Sequence, residues 1–242
     1  MFSILLLSCL HKPIAPVQRL ELYSVKIQAE FQNIDDPTKD LDAFDLELRL
    51  GIQPLDRFPD DSVSFVVTVE ESQALFDGKE VSLGVDGKWV HTRAFEFGEL
   101  LTIEHMQDWA EESLYIDSFD ILWFVLYPNP PNLEKGQTKP SLARYPLRST
   151  EKHQGRAQFR SDWTLISAGR KAQLRYESKM DLKGTWNGLE QVGSGQIKGE
   201  VSMGYSGGIP EKHSGVFSRE ICYKGLTSIC QMQNFVFQME KL

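Results

Sequence analysis

Apolar and polar residues alternate along much of the chain. The alternation is strict from Phe44 to Leu50 and nearly so from Val63 to Val69. Successive side chains of a β-strand point to opposite faces, so this pattern predicts strands with one buried face. Further strands are predicted in segments that alternate, or that are apolar and end at turn residues: Leu20–Phe31, Val81–Val85, Trp89–Phe97, Phe119–Tyr127, Ala157–Phe159, Trp163–Ile166, Ala172–Met180, a hairpin over Gly193–Tyr205, and Phe235–Met239.

One segment has a different period. Leu100, Ile103, Met106, Ala110 and Leu114 fall near one face of a helix, with no glycine or proline between them. This spacing predicts a helix near residues 99–114. The fold class expected from the whole pattern is all-β, a mostly antiparallel β-sandwich or barrel, with this one helix.

The domain organisation follows from changes in composition along the chain. A proline-rich, basic stretch without periodicity separates two β-rich parts. The predicted division is a signal-peptide-like segment at 1–8, a lipidated cysteine and tether at 9–18, a β-sandwich domain at 19–128, a linker or loop at 129–156, and a C-terminal β-rich domain, or second half of the same domain, at 157–242.

The first residues suggest where in the cell the protein is located. Leu6-Leu7-Ser8-Cys9 resembles the lipobox of bacterial lipoproteins. The resemblance implies cleavage before Cys9, acylation of Cys9, and a lipid-anchored place in the cell envelope, on the periplasmic face or the surface of the outer membrane. The run lacks the basic residues that usually precede such a segment. The alternative is that Phe2–Leu7 is a buried first strand and Cys9 a core thiol.

Two further cysteines, Cys222 and Cys230, flank a plausible hairpin turn at Lys224-Gly225. With Cys9 acylated they form an even pair, which favours a disulfide in an oxidising compartment. The alternative is two buried free thiols. We expect no metal site here, because the nearest histidine, His213, has no partner at ligand spacing.

Charge is unevenly distributed in this chain of net charge −8. Residues 1–132 carry 24 acidic and 9 basic side chains, whereas residues 133–183 carry 12 basic and 5 acidic ones. The net negative charge of the chain argues against a nucleic-acid partner. The basic stretch suits phosphates or anionic headgroups, or else it lies against the acidic half of its own chain.

A serine motif offers a second class of function. Gly204-Tyr205-Ser206-Gly207-Gly208 has the G-x-S-x-G pattern of the hydrolase nucleophile elbow, with Ser206 as nucleophile. That elbow requires a helix after the serine, but Pro210 follows closely, and His213 and Glu211 are too near in sequence to complete a triad. A glycine-rich turn is therefore the favoured interpretation. An enzymatic role is less favoured than a binding role.

Acidic loops offer a third possibility. Aspartates cluster at 35–42 and at Asp117 and Asp120, which loosely resembles the calcium- and phospholipid-binding sandwich family, including Asp42-Ala-Phe-Asp45 at a strand entry. The resemblance implies a calcium-dependent phospholipid-binding sandwich. A solvated acidic rim without cofactor is the favoured interpretation, because aspartate is common in turns. The sequence thus favours a lipid-anchored envelope protein that acts as a binding or scaffold module, with the membrane and another envelope protein as candidate partners.

Overall fold

The part of the chain that the structure describes is built of β-strands. The computed structural model describes residues 20–35, 42–60, 62–95, 100–106, 130–131, 133–146, 153–204, 209–225 and 228–242. Twelve strands lie in these ranges: β1 Glu21–Asn33, β2 Asp42–Arg57, β3 Ser62–Phe76, β4 Lys79–Val81, β5 Trp89–Phe95, β6 Leu100–Met106, β7 Thr138–Pro146, β8 His153–Ala168, β9 Lys171–Trp186, β10 Leu189–Gly204, β11 Lys212–Lys224 and β12 Ser228–Lys241.

All twelve strands belong to one antiparallel sheet. Its order is β6-β5-β3-β2-β1-β12-β11-β10-β9-β8-β7, and the short β4 pairs with β3 off this path. Most neighbours in the sheet are also neighbours in sequence. The exceptions are the pairing of β3 with β5 and, at the centre, the pairing of β1 with β12, where Tyr23 lies opposite Lys241. Strands from both sides of the proline-rich stretch therefore share the sheet, and that stretch itself contributes β7.

The predicted alternation is confirmed in the long strands. In β2, Phe44, Leu46, Leu48 and Leu50 are buried while Glu47 between them is exposed. The same period runs through β1, β9, β11 and β12. One face of the sheet thus carries the apolar core, and the other carries mostly charged and polar side chains. Burial of the apolar face supplies the main driving force for folding, at about 25 cal/mol per Å² of apolar surface.

The expected all-β character is confirmed, but the expected β-sandwich or barrel with one helix near residues 99–114 is wrong, because the described strands form one open sheet. Leu100–Met106 is strand β6, paired with β5, and no helix occurs among the described residues. Residues 107–114 lie outside them. Apolar residues at 100, 103 and 106 satisfy a helical period over so short a run, but pairing with a neighbouring strand decides the conformation.

Several strands are longer than predicted. Residues 193–204 of the expected hairpin over Gly193–Tyr205 belong to one continuous strand, β10, and Tyr205 lies outside the described residues. The two short strands predicted within 157–166 join into β8, and the Val81–Val85 strand is reduced to the end of β4. The predicted strand at Phe119–Tyr127 lies outside the described residues.

A tight turn that the prediction missed joins β9 to β10. Trp186 pairs with Leu189, which leaves Asn187 and Gly188 as the two turn residues. Both have positive φ, 48° and 80°. Two-residue hairpins of this type prefer Asn-Gly because asparagine and glycine tolerate that backbone region. The Asn-Gly pair was the available sequence signal.

Candidate functional site

A buried polar pair lies on the core face of the sheet. The Tyr176 hydroxyl and His213 Nε2 are 2.8 Å apart, and His213 is fully buried. Phe237 packs edge-on against the imidazole at a centroid distance of 4.8 Å, and Trp163 packs on Tyr176 at 4.7 Å. Trp163 in turn donates its indole N–H to the Ser141 hydroxyl. The cluster satisfies its polar atoms within the core, which is what buried polar groups require.

Gly199 makes the Tyr176–His213 contact possible. It lies on β10, opposite Tyr176 on β9 and Gly215 on β11, so the tyrosine side chain passes over it. A Cβ at position 199 would lie 2.4 Å from the Tyr176 hydroxyl oxygen and 2.7 Å from the Ser214 carbonyl oxygen. The core face is therefore so full at this point that it has no room for one more methyl group.

A second buried polar pair joins β11 to β12. Arg219 lies directly opposite Gln233 and donates Nε–H to the Gln233 side-chain oxygen at 2.6 Å. Its guanidinium lies 5.0 Å from the Phe235 ring centroid and 5.4 Å from that of Phe217. Cation–π contacts of this kind help to hold a charged group near an apolar core.

The β11–β12 hairpin carries the disulfide. Cys222 and Cys230 face each other in the register, with 4.1 Å between their Cα atoms, and their sulfurs are bonded. Asp35, which follows β1, accepts a hydrogen bond from the Cys230 amide at 3.0 Å. The bridge therefore lies at the end of the sheet where β1, β11 and β12 meet.

Glu220 and the two cysteines of the disulfide do not form a metal site while the disulfide is intact. The side chains of Glu220, Cys222 and Cys230 lie within 4.8 Å of one another. Zinc and similar ions take cysteine as thiolate. The two sulfurs are bonded to each other, so Glu220 alone offers a ligand atom in this group.

The turn between β2 and β3 holds a charged cluster. Asp60 accepts a hydrogen bond from the Ser62 hydroxyl at 2.5 Å, and the Arg93 guanidinium donates to Asp60 at 2.8 Å and to Ser62 at 2.6 Å. Arg93 also stacks over Phe58, 3.8 Å from the ring centroid. The Ser62 hydroxyl and amide, followed by Arg93, hold the pKa of Asp60 below its ordinary value. The cluster fixes the turn, with Ser62 buried and the Asp60 carboxylate exposed to solvent.

A buried tyrosine lies at the other end of β1. Tyr23 is fully buried, and its hydroxyl donates to Glu21 at 2.8 Å. Burial, and then the Glu21 carboxylate, raise the pKa of Tyr23, so the phenol stays protonated.

The residues proposed for hydrolase chemistry do not form a site among the described residues. Ser206 lies outside them. Glu211 forms an ion pair with Lys171, and His213 points into the core toward Tyr176. The acid and the histidine next to the motif are therefore each engaged elsewhere.

The acidic residues proposed for calcium are placed only in part. Asp36, Asp40, Asp117 and Asp120 lie outside the described residues, as does Cys9. Asp35 holds the disulfide hairpin, and Asp45, on the exposed face of β2, accepts from Gln28 at 3.0 Å. His105, expected on a helix, is instead opposite His91 in the β5–β6 register.

The exposed face of the sheet carries several cross-strand ion pairs. Opposite charges face each other between neighbouring strands in Lys26–Glu47, Arg175–Glu200, Lys198–Glu177 and Lys212–Glu240. The pattern breaks on β8 and β9. There Arg156 lies opposite Lys183, and Arg160 opposite Lys179. The sequence showed a basic stretch, but it did not show that these four residues form two facing pairs.

The comparisons with known proteins assign no family. No family model matches the chain, and no curated protein matches it in sequence. It has a weak likeness to a mutant of the Rh. blastica porin, with 10% identity and a TM-score of 0.27 over 93% of this chain and 100% of that chain. The structure described as "Asymmetric conductivity of engineered proteins" gives 9% identity and a TM-score of 0.28 over 91% of this chain and 100% of that chain.

A triple mutant of the Rhodopseudomonas blastica porin gives 6% identity and a TM-score of 0.24, over 93% of this chain and 100% of that chain. TM-scores in this range are too low to assign a fold or a function.

Within the described residues, no helix is long and apolar enough to cross a membrane.

Proposed function

We propose that this chain is a lipid-anchored protein of the cell envelope whose β-rich body acts as a binding or structural module. The observation that carries the proposal is the division of the sheet into two faces. The core face carries the buried apolar side chains, and at Gly199 it has no room even for a methyl group, which would collide with Tyr176. A partner therefore meets the body on the exposed face or at the turns.

The anchor in this proposal is Cys9, in Leu6-Leu7-Ser8-Cys9. Strand β1 begins at Glu21. The residues between them would reach at most about 40 Å when fully extended. Two or three acyl chains on Cys9 would hold the body at a bilayer, because each buried methylene contributes about 0.8 kcal/mol. The Cys222–Cys230 disulfide supports an oxidising compartment such as the periplasm or the outer surface.

The test is fractionation of bacterial cells that express the full chain, followed by labelling with a palmitate analogue. The wild type is expected in the membrane pellet with label, and Cys9→Ala in the soluble fraction without it. A wash in about 1 M salt, where the Debye length falls to about 3 Å, removes proteins held only by charge. The matched control, Cys222→Ser with Cys230→Ser, keeps Cys9 and is expected in the pellet. Salt-resistant recovery of Cys9→Ala in the pellet would overturn the anchor.

A further inference from the structure

The exposed face of β7, β8 and β9 carries a concentration of positive charge. We define the basic surface as Arg144 on β7, Arg156 and Arg160 on β8, and Lys179 and Lys183 on β9, all exposed. From strand spacing and rise, it covers about 10 Å across the strands and about 13 Å along them. Asp181, which pairs with Arg160 at 2.9 Å, is the acidic residue among them.

The arrangement of these residues costs stability. Like charges directly opposite each other in a sheet are destabilising, and Arg156–Lys183 and Arg160–Lys179 are both of this kind. Further along the same two strands, Asp162 also faces a like charge, Glu177. That pair is relieved by Lys198, 3.2 Å from the Glu177 carboxylate. Among the described residues, no acidic side chain gives Arg156, Lys179 or Lys183 the same relief.

The shape of the basic surface indicates the kind of partner. Its members stand on a continuous stretch of sheet and none of them is buried, so it suits an extended anionic surface better than a single small anion. Leu142, which is 49% exposed, lies directly opposite Arg160 on β7. An apolar side chain among basic ones is the combination found where proteins meet lipid headgroups.

We infer that the basic surface docks the body onto anionic phospholipid. The net charge of −8 opposes a nucleic acid and an anionic bilayer alike, so the proposed anchor, which places the body beside a bilayer, is what favours the lipid. Anionic headgroups complement the basic surface, and they attract clustered lysines and arginines within a Debye length of the bilayer. The inference rests on the proposed function in one respect, since the anchor would bring the body to a bilayer.

The experiment uses the full chain carrying Cys9→Ala, so that acyl chains take no part. Binding is measured by co-sedimentation with vesicles of phosphatidylcholine alone and with vesicles that contain phosphatidylglycerol. The test variant adds Arg156→Gln, Lys179→Gln and Lys183→Gln. The control adds Lys26→Gln, Arg175→Gln and Lys198→Gln, which removes the same charge from residues in ion pairs elsewhere on the exposed face.

The parent chain is expected to bind only the vesicles with phosphatidylglycerol. Neutralising three residues of the basic surface should weaken that binding about 100-fold, at about fivefold for each basic residue, while the control should lose less than about fivefold. Circular dichroism confirms that both variants are folded.

Three results would overturn the inference. Equal binding to both vesicles would show that charge is not used, and an equal loss in the two variants would show that net charge, not this surface, is responsible. Retention on immobilised polyglutamate without vesicle binding would point to an acidic protein partner. A failure of the anchor appears instead in the cell fractionation, so the two proposals are tested separately.

Discussion

The Tyr176 hydroxyl and His213 Nε2 lie 2.8 Å apart, although two strand spacings separate β9 from β11. The contact crosses β10 at Gly199, where a side chain would block it. A hydrogen bond inside the apolar core thus joins β9 to β11 across β10, and Tyr176 and Gly199 each lead to a prediction.

Replacing Tyr176 with phenylalanine should lower the free energy of unfolding by about 1–3 kcal/mol, because the buried His213 Nε2 loses this hydrogen bond while the ring volume stays the same. Urea unfolding followed by tryptophan fluorescence measures the change. The control is Tyr223→Phe, since Tyr223 is half-buried and its 3.5 Å contact with Gln191 is long for a hydrogen bond. An equal loss in both variants would contradict the special role of the buried pair.

Replacing Gly199 with alanine should also destabilise the protein, by about 1–3 kcal/mol, because its Cβ would lie within 3 Å of the Tyr176 hydroxyl and of a backbone carbonyl. The matched control is Gly169→Ala, where no atom lies within 4 Å of the added Cβ. In a Tyr176→Phe background the cost of Gly199→Ala should fall in part, because the contact with the hydroxyl oxygen at 2.4 Å is gone, whereas the contacts with the ring Cζ at 2.6 Å and the Ser214 carbonyl oxygen at 2.7 Å remain. A double-mutant cycle from urea unfolding gives this coupling.

Reducing the Cys222–Cys230 disulfide should lower the free energy of unfolding by about 2–3 kcal/mol, since it closes a short loop whose freedom returns in the unfolded chain. Thermal melts with and without a phosphine reductant measure the loss of stability. The variant Cys222→Ser with Cys230→Ser should melt at the temperature of the reduced wild type and should not respond to reductant. A further shift on reduction of this variant would mean that the reductant acts elsewhere.

Acid should weaken the turn that contains Asp60. The pKa of Asp60 is lower in the folded protein than in the unfolded chain, so its contribution is complete above the unfolded pKa of about 4 and is lost as the pH falls through the folded pKa. Asp60→Asn should therefore lose less melting temperature than the wild type between about pH 5 and pH 2. Ser62→Ala removes the largest cause of the lowered pKa and should flatten the same pH profile in part. Profiles parallel to the wild type in both variants would contradict the assignment.

The sequence predicted where strands occur better than it predicted which strands pair with each other. Strict alternation at Phe44–Leu50 is enough to predict β2 and its buried face, because a period of two fits only a strand. The seven residues of β6 are too few to separate a helical period from a strand period, and the pairing with β5 that decides between them is not a local property.

The basic surface illustrates the same limit at the candidate site. Arg156 faces Lys183 only because the register of β8 on β9 shifts between Leu165 and Ser167. Without that irregularity the hairpin would place Gly184 opposite Arg156, and the lysine would pair with a different residue. A bulge has no reliable single-residue signal, so the composition of the basic stretch was predictable and its geometry was not.

The pairing of β1 with β12 also sets an order of events during synthesis. Tyr23 emerges from the ribosome long before its partner Lys241, and the centre of the sheet cannot close until β12 has been made. Contacts so distant in sequence slow folding, because their loop-closure entropy must be met before they contribute stability. Until then, β1 and β2 expose an apolar face that is later buried. This delay would suit a chain that crosses a membrane unfolded and forms its sheet on the far side.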